Sequence, residues 1–371
     1  MNRKTSISGY QLFCMIFLFE IGSTSLVGIT HVAKQDVWIS MIISMLIGCM
    51  LFYVHIKLYE IYPEYQLTKY VQFIFGKYVG KSLAIVYIVF FIYIAGRILR
   101  DIEDLLTMTL FTASSLISIG IILLFAVMYG LFKGIETFAR LTEFLFIFMI
   151  IFIFITLGFE LISNIFQINN LRPVLEQGWE PVIKAVFPFG ILFPFGEIIV
   201  FTMILPYLNK KEKAYKVGLP AMLFSGFILV IFTLSSLAIL GASAISKSEY
   251  PILVAAGMIN IADFIQRIDT FIILLIVCGG FIKLSIYSFC AISGAADLFN
   301  VKSSSQLIYP ICVIILITSL LMASNHDEHR NEGFGKVPYF IHIPLHFIIP
   351  ISLLIFSLTQ KKLREKNENS T

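Results

Sequence analysis

The sequence predicts an all-α integral membrane protein whose roughly ten transmembrane helices fall into two five-helix halves. Three observations carry that prediction. The 371 residues are 58% hydrophobic and only 13% charged, with a mean hydropathy of +0.90, whereas soluble domains average roughly 45–50% apolar and about 25% charged. Apolar runs long enough to cross a bilayer, about 20 residues each, recur along the whole chain. The two longest connections occupy equivalent places in the two halves, on opposite faces of the membrane.

The spans are expected near 8–30, 37–58, 82–106, 115–132, 141–161, 181–206, 217–241, 268–293, 306–323 and 339–358. The first is read as a retained span, because Arg3 and Lys4 precede it but no small-residue cleavage site follows a short apolar core. An even number of spans puts both termini on one side, and the distribution of basic residues makes that side cytoplasmic. Lys57, Lys69, Lys133, Arg140, Lys211 and Lys302 fall there with the lysine-rich tail, against a sparser set such as Lys34, Arg172, Lys247 and Arg330 opposite.

The long connections are 59–81, after the second span, and 246–267, after the seventh. Each carries a Tyr-Pro and mixes apolar with charged residues, so each is expected to lie along the membrane surface as an amphipathic helix. Their placement is the pattern of an inverted repeat, residues 8–161 against 181–358, within one membrane domain covering 1–371.

The sixth span damages its own helix. Residues 186–199 read VFPFGILFPFGEII; each proline removes a backbone donor and each glycine weakens the helix. Its partner in an inverted repeat is the first span, which reads EIGSTSLVGIT over 20–30, with Gly22, Ser23 and Thr24 at mid-depth. Broken helices in corresponding halves expose unpaired N–H and C=O groups near the midplane. A half-helix N-terminus, worth roughly half a positive charge, suits a carboxylate, and carbonyls opposite suit an amino group. The implied ligand is small and zwitterionic. Glycine and proline also serve plain packing in membrane helices, and that reading stands beside the first.

Ionisable residues at membrane depth must face protein or water and find partners. Glu20, Arg97, Arg100, Asp101, Glu197 and Lys283 are such residues. Arg97 and Asp101, four apart on one face, read either as an intrahelical pair or as site groups. Lys283, in GGFIKLSIYSF (279–289), has no acid at helical spacing in its own span. It is expected to pair across helices, with Glu20 or the carbonyls of the first break, or to replace a coupling cation. Glu197 follows the second break and joins Lys283 and Glu20 as a structural charge.

Little else points to chemistry. The five cysteines lie in apolar runs without CxxC spacing and read as buried free thiols. NHDEHR (325–330) reads as a polar outer loop, and His342 and His346 as packed, neutral histidines. No HExxH, phosphate-binding loop or dinucleotide fingerprint is present. No catalytic residue, metal, cofactor or nucleic-acid partner is expected.

Five segments, ISGYQLFCMIF (7–17), EIGSTSL (20–26), YIAGRILRDIEDLL (93–106), FPFGEII (193–199) and GGFIKLSIYSF, in this order and spacing resemble the spore germination receptor B subunit. This is the GerAB-like spore permease branch of the amino acid–polyamine–organocation superfamily. The resemblance implies a LeuT-like fold with helices one and six broken, in the inner membrane of bacterial endospores. It implies an A subunit and a C subunit lipoprotein as partners, and the sensing of a small nutrient, often an amino acid, that triggers germination. On it, Gly22, Ser23 and Thr24 form the ligand-binding break of span one. Phe189, Gly190 and Ile191, or Pro194–Gly196, form that of span six, and Tyr93, Arg97, Ser285 and Tyr287 line the same cavity. An amino acid permease, proton-coupled or uncoupled, shares the architecture and is the competing function; a channel subunit is the third.

Overall fold

The computed structural model describes residues 6–22, 32–211, 213–261 and 267–368. Eight helices among these are long and apolar enough to cross a bilayer: Lys34–Ile61, Leu67–Thr109, Leu116–Lys133, Ile135–Ile162, Glu180–Met203, Lys213–Ile245, Asp269–Leu298 and Pro338–Lys361. The shorter helix Gly9–Ile21 and the helix Ser305–Leu321, bent by 100° into His326–Phe334, stand where spans one and nine are expected. This is a multi-pass, all-α membrane protein of about ten helices.

Local chemistry explains several boundaries. Span one starts in a capping box: the Gln11 N–H donates to Ser8 Oγ (3.1 Å) and the Ser8 N–H to Gln11 Oε1 (2.8 Å). Spans four and five are joined by Gly134 alone, at φ +84°, a conformation glycine adopts without steric cost. Asn325 caps the helix His326–Phe334, accepting from the Glu328 N–H at 2.9 Å.

The two long connections each carry a short helix, as expected. Within 59–81, span two runs to Ile61, a turn follows, and a short helix starts at Leu67 and ends at the kink of Gly76 (φ +78°, ψ −179°), beyond which span three continues to Thr109. The hydrophobic face of 67–75 packs on protein, with Leu67, Tyr70 and Val71 buried, so the mixed composition marked a partly covered helix. Among the described residues of 246–267, Pro251–Gly257 is helical, and Ile252, Ala255 and Ala256 are buried against the bundle. NHDEHR likewise begins a helix where a loop was expected.

Burial separates the spans into layers. Span six has 83% of its apolar window buried, spans four and five only 22%. Spans four and five therefore present Ile122, Phe125, Phe144 and Phe154 outward, while span six is threaded through the centre. It is held there by close packing: a Cβ on Gly48 of span two would lie 2.3 Å from Phe195 Cβ. The cysteines are free thiols, four of them buried and Cys278 partly so.

The end of span six is tied to the N-terminus and to spans three and eight. The Ile7 N–H donates to the Tyr207 carbonyl (2.8 Å) and the Asn209 N–H to the Ile7 carbonyl (3.0 Å). Gln66 Nε2 donates to the Met203 carbonyl (2.9 Å), while Ser293 Oγ donates to Gln66 Oε1 (3.0 Å).

Candidate binding cavity

Span six builds a cavity wall because its backbone cannot run as one α-helix. The helix Glu180–Ala185 gives way to a wide turn over Val186–Gly190, in which Phe187 is extended (φ −114°, ψ 125°). The chain resumes as a 3-10 helix over Phe195–Met203. The interruption thus takes in both alternatives read from the sequence, since Pro188 and Pro194 each lack a backbone donor.

Beside this interruption lies a cavity of about 130 Å³, close to the ~150 Å³ void that accepts a benzene-sized molecule. Gly22, Arg97, Phe189, Glu197 and Lys283 line it, with Ile94, Ile98 and Phe193 as apolar wall. Its roof comes from two connecting segments, through Glu249, Tyr250, His326, His329 and Arg330.

The charged groups are held in pairs from different elements. Lys283 Nζ of span eight bonds the Glu197 carboxylate of span six, to which the Tyr287 hydroxyl also donates at 3.1 Å. The ammonium lies 5.0 Å from the centre of the Phe19 ring, a cation–π distance. Arg97 reaches outward: Nη1 donates to Glu332 Oε2 (3.2 Å) and to the Tyr93 oxygen (3.3 Å), and Nη2 to the His329 carbonyl (3.2 Å). The Tyr93 hydroxyl donates to Glu332 Oε1 at 3.2 Å. The intrahelical Arg97–Asp101 pair is therefore replaced by two bridges to the helix His326–Phe334, because Asp101 Oδ1 accepts from His329 Nε2 at 2.8 Å. The true intrahelical pair is Arg100 Nε with Asp104 Oδ1, 2.9 Å.

Gly22, Arg97 and Phe189 thus come together with Lys283 and Glu197. Tyr93 stands behind Arg97, and Tyr287 behind Glu197. Three expected residues lie elsewhere. Gly190 packs on span two, where a Cβ would meet Ser44 Oγ at 2.2 Å. Ile191 joins Val186 and Leu192 in a separate apolar cluster. Ser285 Oγ donates to its own helix at the Phe281 carbonyl, 2.8 Å. Glu20 is buried behind the Lys283–Glu197 pair, outside the lining. Ser23 and Thr24 lie outside the described residues. The roof residues were missed as lining groups. NHDEHR advertised charge, but its partners Glu249, Asp104 and Asp101 sit 77 to 228 positions upstream.

One roof group has a legible protonation state. His326 Nδ1 lies 2.9 Å from Asp104 Oδ2 and Nε2 bonds Glu249. Carboxylates only accept, so both ring nitrogens must carry hydrogen and the ring is an imidazolium. These two hydrogen bonds raise its pKa from 6.5 to about 9. The folded value lies above the unfolded one, so the clamp stabilises fully below pH 6.5 and is lost as pH rises through about 9. His326→Gln is expected to flatten the thermal stability of the protein in lipid nanodiscs across that window. An unchanged pH profile would remove His326 as the clamp.

A family model for spore germination proteins, the spore permeases, matches residues 6–327. The chain is 36% identical over 365 residues to spore germination protein KB of Bacillus subtilis (strain 168), covering 98% of each chain. The chain belongs to the spore germination protein family. It is also 25% identical to spore germination protein YndE (89% of each chain) and 23% identical to spore germination protein A2 (91% of this chain, 90% of that one), both of the same organism. Within this family member, Gly22, Arg97, Phe189, Glu197 and Lys283 all fall inside the range matched by the family model.

Proposed function

We propose that this spore germination protein is the nutrient-sensing membrane subunit of a germinant receptor. A small nutrient, an amino acid by its charge complementarity, binds between the broken first and sixth spans and triggers germination. The observation that carries this reading is the cavity itself. It presents a cation and an anion, Lys283 and Glu197, beside an apolar wall of Phe189, Ile94 and Ile98, which suits a zwitterion with a modest side chain. The end of span six is bonded to Gln66 and to Ile7, ties that favour detection over free passage. The two halves form an inverted repeat, both termini face the spore core, and the chain works in the inner membrane with an A subunit and a C subunit lipoprotein. It is not an enzyme.

Deletion of the gene followed by a germination screen over single amino acids, sugars and their mixtures tests the proposal. Loss of the response to one nutrient, restored by the wild-type chain but not by Arg97→Ala, is expected. Unaltered germination on every nutrient would overturn it. Accumulation of labelled amino acid by proteoliposomes holding this chain alone would instead establish the permease reading.

A further inference from the structure

Span one contributes a carboxyl that the cavity lining does not use. Glu20 is fully buried, and among the described residues neither of its oxygens has a hydrogen-bond partner. The charges within its electrostatic reach are Lys283 of span eight and Glu197 of span six. Tyr287 of span eight and Cys49 of span two are the other titratable groups beside it. Two carboxyls therefore face one ammonium, away from water.

With both acids ionised the cluster would hold one uncompensated negative charge. An isolated carboxylate in a dry interior binds a proton instead of remaining charged. Geometry decides which acid takes it. Glu197 accepts from the Lys283 ammonium and from the Tyr287 hydroxyl, and bonds of this kind favour the ionised form. Glu20 has no such donors among the described residues.

We propose that Glu20 is a proton-binding site, a neutral acid whose proton is exchanged when Lys283 moves between Glu197 and Glu20. The step balances. Lys283 turns from Glu197 to Glu20 as Glu20 releases its proton, and the proton either passes to Glu197 or leaves through the cavity. In the second case an incoming ammonium takes the place of Lys283 at Glu197, so one cation enters for each proton that departs. Lys283 and Glu197 line the cavity while Glu20 lies behind them, which links occupancy of the cavity to the proton. Only this last link rests on the proposed nutrient site; the proton site stands on the cluster alone.

Two measurements on the purified full chain in lipid nanodiscs test it, and neither uses a nutrient. Dicyclohexylcarbodiimide reacts with protonated carboxyls in apolar surroundings, and is expected to modify Glu20 of the unaltered protein at neutral pH, as read by peptide mass. The infrared carbonyl band of protonated carboxyls is expected to lose one group in Glu20→Gln and to gain one in Lys283→Met, where Glu197 loses its cation. Peptide mapping separates Glu20 from the other buried acids, Asp36, Glu103, Asp104, Glu160 and Glu197. An unmodified Glu20, or a Glu20→Gln spectrum identical to wild type, would overturn the proposal. If Glu20→Gln does not fold, the carbodiimide result on the unaltered chain decides. Failure to find a nutrient would count against the proposed function and leave the proton site in place.

Discussion

Gly22→Ala is expected to destabilise the protein and to raise the nutrient concentration needed for germination; Gly22→Leu is expected to do both more strongly. A Cβ at Gly22 would lie 2.5 Å from the carbonyl carbon and oxygen of Gly279 and 3.0 Å from the Gly280 nitrogen. These are backbone atoms of span eight, so no side-chain rotation relieves the clash and the two spans must separate. The contact is reciprocal, since a Cβ on Gly279 would meet Gly22 Cα at 2.6 Å. Small residues permit such backbone approach between membrane helices, and overpacking a tight contact costs about 1–3 kcal/mol. Gly22 also lines the cavity next to Gly280 and Lys283, so separation moves the binding groups as well as the scaffold. Gly158→Ala is the control: nothing lies within 4 Å of a Cβ there. Thermal unfolding in nanodiscs should show a lower midpoint for Gly22→Ala and Gly279→Ala, and a double variant less costly than the sum, because the first methyl has already parted the spans. If Gly22→Ala matches Gly158→Ala in stability and response, the contact has no role in either.

The contrast between these two glycines shows what the sequence could and could not convey. Composition and apolar run length are properties of single segments, so the membrane class, the spans and the interruption at Pro188–Pro194 were legible, while the expected break after Gly22 falls outside the described residues. Cavity membership is a property of facing directions in three dimensions. Gly190 and Ile191 share the broken stretch with Phe189, yet the wide turn aims them at Ser44 and at Leu192 while Phe189 meets the cavity. Helical spacing offered Asp101 to Arg97, but the helix His326–Phe334 outcompetes it with Glu332 for the guanidinium and His329 for the carboxylate. Pairings between residues so distant in sequence leave no local periodicity to read. Lys283 was expected to bond Glu20 or the carbonyls of the first break, and only the packing of span six against span eight brings its ammonium to Glu197.

That pairing governs the largest effect expected of a single side chain, that of Lys283→Met. Lys283 and Glu197 are 5% and 2% exposed, so methionine would leave Glu197 buried with the Tyr287 hydroxyl but without its countercharge. Removing one partner of a buried pair costs about 3–5 kcal/mol. Lys283→Met should abolish the germination response, and Lys283→Arg should keep part of it, because arginine preserves charge but not the shape of the ammonium. The pair joins span eight to the interrupted span six with a cation that belongs to the chain, so the response is expected to proceed without sodium. Stability and signalling can be separated with Lys283→Met/Glu197→Gln, which removes both charges together. A neutral pair of similar size should recover most of the lost stability, since the penalty lies mainly in the Glu197 carboxyl, left without its cation and forced to take up a proton. It should not recover the response if the ammonium itself meets the nutrient. Recovery of both would make the pair purely structural; an abundant, fully responsive Lys283→Met chain, or a wild-type response that requires sodium, would show that another group holds these spans together.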